Sequence, residues 1–452
     1  MAISKSEADQ AVLSHCDPLQ LQLSTAYSEG NASAIEGALD RIHEEVSSSS
    51  IRQDELGTAD CINHIFSILN ELLDKPYSVP RVESKDTGLK CSSSAAMKFD
   101  AVNIVHQQEC LIEKCFWVLV RLCRREMSKM TAHDANMNLL ENYQQSFEII
   151  TDICTQYVKS PRIALPVCWL IMVLASDSSE RQFKLTSVNA TTLVVNILGE
   201  HKNDVKIAEM ACRAARNLAA GDPDIVAKFV EDKICEGLVG IIRAQLRQSP
   251  YLKPAEDQDN DHQAAISGGK ESSTGPDSVS LLELRIDDST IQPVTDLPVD
   301  ETVCEAALWA IVNLSCEENV STILGSVGGI EAVVDVATTC HGSDVALAAV
   351  SAIRNISSVG TLNFSLLAKT KVCEILLLNL KTHSTSIELI ETGLWALTNL
   401  ACDSVLANRL GSLGAARVVV DTYYRCDPAK QNVLSSTILV SSNTDLFNSV
   451  SL

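Results

Sequence analysis

A short segment recurs along the chain and sets the length of its structural unit. AALWAIVNLSC surrounds Asn313, AAVSAIRNISS surrounds Asn355, and TGLWALTNLAC surrounds Asn399. A related segment, ACRAARNLAAG, surrounds Asn217, and PVCWLIMVLAS places Val173 at the equivalent point. We call these five residues the anchors. The steps of 42 and 44 residues between the last three anchors are the period of an α-helical solenoid, in which each unit repeats one small group of helices.

A second landmark recurs fifteen residues after each anchor. A residue that marks a helix start precedes an apolar run at Val188, Asp232, Gly328, Thr370 and Gly414. Glycine before such a run fits a tight turn between helices, because it adopts positive φ at little cost. The pattern predicts a unit of three helices: the anchor lies on a long third helix, a short first helix follows, and the landmark begins the second helix. Each unit buries its apolar stripe only against its neighbours, so the units fold as a stack.

Departures from this spacing divide the chain into segments. The distance from Asp232 to Asn313 is 81 residues, where the later repeats use 27 or 29. The excess matches residues 249–301, a polar stretch rich in Asp, Glu, Gly, Pro and Ser, for which we expect a disordered acidic insert. The remaining predicted segments are an N-terminal tail or cap at 1–30, divergent helical repeats at 31–159 with an irregular loop near 74–100, regular repeats at 160–248 and 302–444, and a tail at 445–452.

Charge and hydropathy exclude two classes of partner. The formal net charge is -22, and a protein that neutralises phosphates needs a basic surface, so we expect no nucleic-acid partner. The longest uninterrupted apolar stretch, Ala164 to Ala175, is too short for a membrane span and contains Pro166. We therefore expect no membrane insertion.

Cysteines and catalytic motifs narrow the function further. Most of the sixteen cysteines lie in apolar helical runs, as Cys168, Cys212 and Cys304 do, and no signal peptide precedes them. We expect reduced core thiols in a cytoplasmic protein that can also enter the nucleus. No Cys-x-x-Cys, phosphate-binding loop, Gly-x-Ser-x-Gly or His-Glu-x-x-His occurs. The sequence therefore predicts no metal, no cofactor and no enzymatic activity.

The anchor segments resemble armadillo repeats, as found in relatives of importin-α and β-catenin. The resemblance lies in AALWAIVNLSC and TGLWALTNLAC, each followed by a Leu-x-x-x-Gly-(Gly/Ala) turn and an apolar helix, and it covers about residues 160 to 445 without the insert. It implies an all-α fold, a right-handed superhelical solenoid of armadillo-type three-helix repeats whose third helices line a concave groove. In that family the Asn of the third helix hydrogen-bonds the backbone of an extended peptide, and a Trp four residues earlier forms a side-chain pocket.

The resemblance carries these roles onto particular residues of this chain. A Trp and an Asn four residues apart share one face of a helix, and an Asn amide both donates to and accepts from a peptide backbone. The alternative stays open that each Trp packs in the core between repeats and that each Asn caps a neighbouring loop. The candidate peptide-binding residues are Asn217, Trp309, Asn313, Asn355, Trp395 and Asn399.

The chain departs from the importin-α pattern in two ways. Arg213 and Ser351 replace the Trp in two repeats, and the first fifty residues contain only Lys5 and Arg41 as basic groups, so no basic leader is present. Arg213 and Arg354 join the candidate groove, and Arg216 lies near it. Together they suit an acidic partner, as in the β-catenin branch, unless they are merely solvated.

These observations predict a non-enzymatic scaffold or adaptor that binds an extended segment of a protein partner along the groove. The alternative functions are an importin-α-like transport adaptor and a regulator that binds a small GTPase. The oligomeric state is not set by the sequence. The predicted groove residues are Arg213, Asn217, Trp309, Asn313, Arg354, Asn355, Trp395 and Asn399.

Overall fold

The computed structural model describes residues 17–74, 93–124, 130–247 and 299–425. Every regular element in these ranges is a helix. In chain order the helices are α1 (Pro18–Ser28), α2 (Ala32–Ser48), α3 (Ser50–Leu56), α4 (Ala59–Asp74), α5 (Ser93–Cys123), α6 (Met130–Asn142), α7 (Ser146–Gln156), α8 (Pro161–Leu174), α9 (Ser179–Ser187), α10 (Ala190–Glu200), α11 (Val205–Leu218), α12 (Pro223–Glu231), α13 (Ile234–Leu246), α14 (Glu301–Leu314), α15 (Glu318–Ser326), α16 (Gly329–Thr339), α17 (Ser343–Ser358), α18 (Gly360–Leu367), α19 (Val372–Thr382), α20 (Ile387–Leu400), α21 (Ser404–Ser412) and α22 (Ala415–Arg425).

The helices stack in repeats of three, as the anchor spacing predicts. The third helices are α2, α5, α8, α11, α14, α17 and α20, and each packs against the next one along the stack. The second helices, from α4 to α22, form a parallel row on the other side. Contacts within the third-helix row are more extensive than those within the second-helix row. The prediction of an all-α solenoid is confirmed, and the right-handed sense of the superhelix stays a prediction.

Local capping explains where the third helices begin. Oδ1 of Asp204 accepts hydrogen bonds from the backbone N–H groups of Lys206 and Ile207, both at 3.1 Å. Asp300 caps the first turn of α14 in the same way. These bonds satisfy N–H groups that have no partner inside the helix. For α11 and α14 the Asp before the apolar run is therefore the local signal that starts the helix.

The turns between first and second helices adopt the left-handed conformation in most repeats. Gly328 and Gly414 have φ of 76° and 70°, at the positions that the sequence landmark predicts. In two earlier repeats the left-handed residue is one position later, at Asn189 (φ 62°) and Lys233 (φ 66°). At the remaining landmark, Thr370, the chain turns into α19 through Lys371 at a negative φ of -92°. From repeat to repeat, the position of this turn therefore varies less than its backbone conformation.

The ends of the stack and the interrupted regions refine the predicted segments. Within the predicted tail or cap at 1–30, α1 packs on the stack, and the buried Gln20 side chain donates to the carbonyl of Glu55 at 3.2 Å and to Thr58 Oγ1 at 2.9 Å. Helix α5 begins at Ser93, inside the predicted loop near 74–100, because Ala95 and the residues after it are good helix formers. Most of the predicted insert at 249–301 and the predicted tail at 445–452 lie outside the described residues.

One continuous apolar core runs through the stack between the two helix rows. Cys168, Cys212 and Cys304 are fully buried in it, as expected from their apolar surroundings. Among the described cysteines, Cys316 and Cys402 are exposed. No single described helix is long and apolar enough to cross a membrane, and the one apolar pair with sufficient length, α15 and α16, is bent by 80°.

Thiol reactivity provides a test of this core. Burial raises the pKa of Cys123 and of Cys154 to about 12, so almost none of either thiol is ionised at pH 8, and only the thiolate reacts. We expect a short pulse of iodoacetamide at pH 8 to label Cys316 and Cys402 and to spare Cys123 and Cys154, as read residue by residue by mass spectrometry. The same pulse in urea is the control and should label all four. Labelling of Cys123 or Cys154 in the native protein as fast as in urea would contradict the fold.

Candidate functional site

The predicted groove residues lie on four consecutive third helices, α11, α14, α17 and α20. On each helix the anchor and the residue four positions before it share one side, because a helix turns once in 3.6 residues. We call the surface formed by these two positions, together with the residue just before each anchor, on successive third helices the third-helix face. The structure therefore brings all eight predicted residues onto one row of neighbouring helices, and their role in binding stays a prediction.

The anchor asparagines form a ladder of hydrogen bonds between repeats. Nδ2 of Asn217 donates to the backbone carbonyl of Met172 at 2.9 Å, and Nδ2 of Asn313 donates to that of Arg216 at 2.8 Å. Each accepting carbonyl belongs to the residue just before the anchor of the preceding repeat. The next two asparagines repeat the pattern: Asn355 donates to Val312 at 2.9 Å, and Asn399 donates to Arg354 at 3.0 Å.

The ladder gives these asparagines a structural role. The last four carbonyls of a helix have no intrahelical partner, and three of the accepting carbonyls, those of Met172, Arg216 and Val312, lie in that last turn, with that of Arg354 one residue before it. Each Asn therefore caps the third helix before it, which agrees with the capping alternative for one of its two N–H donors. Oδ1 of Asn355 accepts from its neighbour Arg354 at 3.3 Å. For Asn217 and Asn313 the second N–H and Oδ1 form no hydrogen bond within the described ranges, whereas Nδ2 of Asn399 also donates to Ser357 Oγ at 3.3 Å.

The tryptophans are half-buried and present one ring surface at the third-helix face. Trp309 packs on the core from one side, and the guanidinium of Arg216 lies over its ring, 5.0 Å from the ring centroid. Burial is the main cause that lowers the pKa of Arg216, and the charge of Arg213 lowers it further, whereas Glu305 acts in the opposite sense. Arg216 therefore occupies the aromatic surface that the family resemblance assigns to a bound side chain.

The cationic side chains of the third-helix face differ in their partners. Arg213 forms an ion pair with Glu209 on its own helix, with Nε 2.9 Å from Oε1. Arg354 is exposed and contacts only the amide oxygen of Asn355, and Arg216 forms no ion pair with a described carboxylate. Two of the three arginines thus keep their full charge available for a partner.

The row of tryptophans continues toward the N-terminus, where the sequence prediction did not place any site. Trp117 on α5 and Trp169 on α8 contact edge to face, with centroids 5.6 Å apart and planes at 72°. His43 on α2 extends the row, 6.4 Å from Trp117. The four tryptophans of the chain share one signal: Trp169, Trp309 and Trp395 each lie four residues before an anchor, and Trp117 lies four residues before Arg121, which we count as the anchor position of α5.

The described residues contain no group of three or more His, Cys, Asp or Glu side chains placed to hold a metal ion. The residues of the third-helix face are amides, aromatic rings and guanidinium groups. They can hydrogen-bond a backbone, pack on an aliphatic chain or pair with an anion. The side chains of the third-helix face are therefore suited to binding a partner.

Replacing one rung tests the ladder. We expect Asn313→Ala to lower the free energy of unfolding by about 1–3 kcal/mol, because it removes a side-chain hydrogen bond and leaves the carbonyl of Arg216 without that partner. Urea unfolding followed by circular dichroism measures the change. Asn319→Ala is the matched control, since Asn319 is exposed on the first helix α15. Equal stability of the two variants would contradict the capping role.

Comparison with known proteins supports the fold. No family model matches the sequence, and no curated protein matches it. A solved engineered protein from the Northeast Structural Genomics Consortium is 14% identical and aligns over 95% of this chain and 99% of its own, with a TM-score of 0.52. A designed armadillo repeat protein in complex with the peptide (KR)4 is 18% identical over 64% of this chain and 98% of its own, with a TM-score of 0.46. A structure concerned with a phosphorylation switch in the interaction between cadherin and β-catenin is 13% identical over 94% of this chain and 67% of its own, with a TM-score of 0.48. The observed three-helix repeats and the match along nearly the whole chain identify an all-α solenoid of armadillo-type repeats.

Proposed function

We propose that the chain is a non-enzymatic scaffold or adaptor that binds an extended, acidic segment of a partner protein along its third-helix face. The observation that carries the proposal is the arrangement of Arg216 over Trp309, with Arg213 and the exposed Arg354 on the neighbouring positions of the same face. An aromatic surface under a partly desolvated guanidinium favours an anionic group, since the ion pair forms beside a low-dielectric wall.

The spacing of the repeats favours an extended segment. Packed helices lie about 8–10 Å apart, and an extended chain advances about 3.3 Å per residue, so a segment that crosses the third helices passes one repeat in about two to three residues. Asn217 and Asn313 each retain an N–H and an amide oxygen for the backbone of such a segment. A regular row of amides therefore supports recognition of main chain, and the arginines between them support selection by charge.

The import-adaptor alternative is less well supported by the geometry. A basic localisation peptide inserts cationic side chains between aromatic rings, and at Trp309 that place is taken by Arg216. A lysine of a partner would have to displace Arg216 and then lie close to Arg213. Like charges at these positions disfavour a basic partner.

The cellular compartment is a separate part of the proposal and rests on the buried cysteines. Buried free thiols such as Cys168 and Cys212 suit a reducing environment, where disulfides are rare. We therefore place the chain in the cytoplasm, with access to the nucleus.

Neutralising the face tests the proposal. We expect Arg216→Gln together with Arg354→Gln to remove the partners that the wild-type chain retains from a cell lysate, as measured by affinity capture and quantitative mass spectrometry. A charge-assisted hydrogen bond contributes about 1.5–3 kcal/mol, so each retained partner should bind at least tenfold more weakly. Capture of these partners should also fall as salt rises, because exposed charges are screened.

The matched control removes two positive charges elsewhere. Lys233→Gln together with Arg417→Gln changes exposed side chains at a turn and on the second helix α22. This variant should keep every partner. If the control and the Arg216 and Arg354 variant retain the same partners, with unchanged helical circular dichroism, the third-helix face is not the binding surface.

A further inference from the structure

The N-terminal third helices bring five aromatic and basic side chains together. His43 lies on α2, Trp117 and Arg121 lie on α5, Arg124 directly follows α5, and Trp169 lies on α8. The rings of His43, Trp117 and Trp169 form the row described above, and the guanidinium of Arg124 lies 6.0 Å from the centroid of Trp169. We call these five residues the N-terminal Arg–Trp cluster. It occupies the same third-helix positions as Trp309 and Asn313, with Arg121 in place of the anchor Asn.

Two polar atoms of the cluster are buried without a hydrogen-bond partner. These are Nε of Arg121 and Nδ1 of His43. Buried donors in native proteins are nearly always paired, because an unpaired donor loses its water and gains nothing in return. Nε of Arg121 is a certain donor, and its orphaned N–H beside two aromatic rings marks a place where an acceptor from outside the chain fits.

The cluster also carries positive charge that no described carboxylate neutralises. Burial and then the charge of Arg124 lower the pKa of Arg121, and burial and then the charge of Arg121 lower the pKa of His43. The nearby acid Asp40 is engaged by Lys114, with Nζ 2.6 Å from Oδ2. The guanidinium groups of Arg121 and Arg124 therefore repel each other, and an added anion would relieve that repulsion.

We propose that the N-terminal Arg–Trp cluster is a second anion-binding subsite of the third-helix face, filled by a carboxylate or phosphoryl group of the bound segment. Arg121 and Arg124 supply planar guanidinium forks that pair with such oxygens, and Trp117 and Trp169 supply walls that exclude water. The subsite rests on the proposed function, since it is one part of the surface that binds the extended segment.

The position of the cluster sets the spacing of the anions. Arg121 on α5 and Arg216 on α11 are separated by two steps along the third-helix row, α5 to α8 and α8 to α11. At about 8–10 Å per step, an extended segment covers this distance with about five or six residues. The preferred ligand is therefore a segment with two anionic positions about five or six residues apart.

Synthetic peptides test the subsite on the full chain. The probes are fluorescein-labelled peptides of Gly, Ser and Asn that carry either one Glu-Glu pair or two pairs six residues apart, a version with phosphoserine in place of each Glu, and a version with Lys. Fluorescence anisotropy measures the affinities. We expect the two-pair peptide to bind at least tenfold more tightly than the one-pair peptide, and the Lys peptide to bind least. Comparison of the Glu peptide with the phosphoserine peptide distinguishes the two sources of the anion, because the tighter binder shows whether the cluster prefers a carboxylate or a phosphoryl group.

Two charge variants separate the subsite from the rest of the face. Arg121→Gln with Arg124→Gln should bring the two-pair peptide down to the affinity of the one-pair peptide and leave the one-pair peptide unchanged. If only Arg216→Gln with Arg354→Gln weakens binding, the subsite is wrong and the proposed function stands. If neither variant weakens binding, both are wrong. Lys233→Gln with Arg417→Gln is again the control for loss of charge.

Stability supplies an independent readout. A charge held without a partner destabilises the folded chain, so Arg121→Gln should raise the midpoint of thermal unfolding. A purely structural arginine would lower that midpoint when replaced. A lower midpoint, together with unchanged affinity for the two-pair peptide, would overturn the subsite.

Discussion

The architecture depends on one hydrogen bond that recurs between successive third helices. In four successive repeats an Asn side chain bridges to a carbonyl near the C-terminus of the third helix before it, as Asn313 does to Arg216 and Asn399 does to Arg354. Apolar packing alone lets neighbouring helices slide, because dispersion and burial have little directionality. A bond with defined length and direction sets the axial position of each helix on the last. Since a solenoid is stabilised mainly by contacts between neighbouring units, this bond acts at the place that matters most, in the four junctions from α8–α11 to α17–α20.

The same positions that hold the stack also determine the surface it presents. An anchor side chain that caps the neighbouring helix cannot turn freely, so the Trp or Arg one turn earlier is presented at a regular interval. Where the anchor is Arg121 or Val173 the bridging amide is absent, and α5 and α8 are joined instead by contacts such as the Trp117–Trp169 pair. The face therefore combines a regular region, suited to main chain, with a more highly charged region at its N-terminal end. Stability and binding compete at these positions, as is common in functional sites.

The architecture could be predicted from the sequence because it depends on patterns within short segments. The anchor spacing and the turns at Gly328 and Gly414 place most helices correctly, since capping and turn conformation are decided within a few residues. The side-chain contacts between repeats could not be predicted from the sequence. The amide of Asn313 bonds the carbonyl of Arg216, 97 positions earlier, and the guanidinium of Arg216 lies over the ring of Trp309, 93 positions later. Both contacts span the insert that interrupts the repeat spacing. Trp117 and Trp169 could have been found, because they obey the same four-residue offset as Trp309, but their anchors are not Asn.

The junction between α11 and α14 has a consequence for how this chain can vary. Residues 248–298 separate α13 from α14 in sequence, and yet α14 packs on α11 and bonds to it through Asn313 as if the two repeats were contiguous. The entropic cost of closing a loop grows only with the logarithm of its length, about 0.6 kcal/mol for each doubling. Loop closure at this junction therefore places almost no limit on the length of the segment between α13 and α14. It is a natural point at which a longer sequence, a foreign domain or a break in the polypeptide can be accommodated while the two halves still recognise each other.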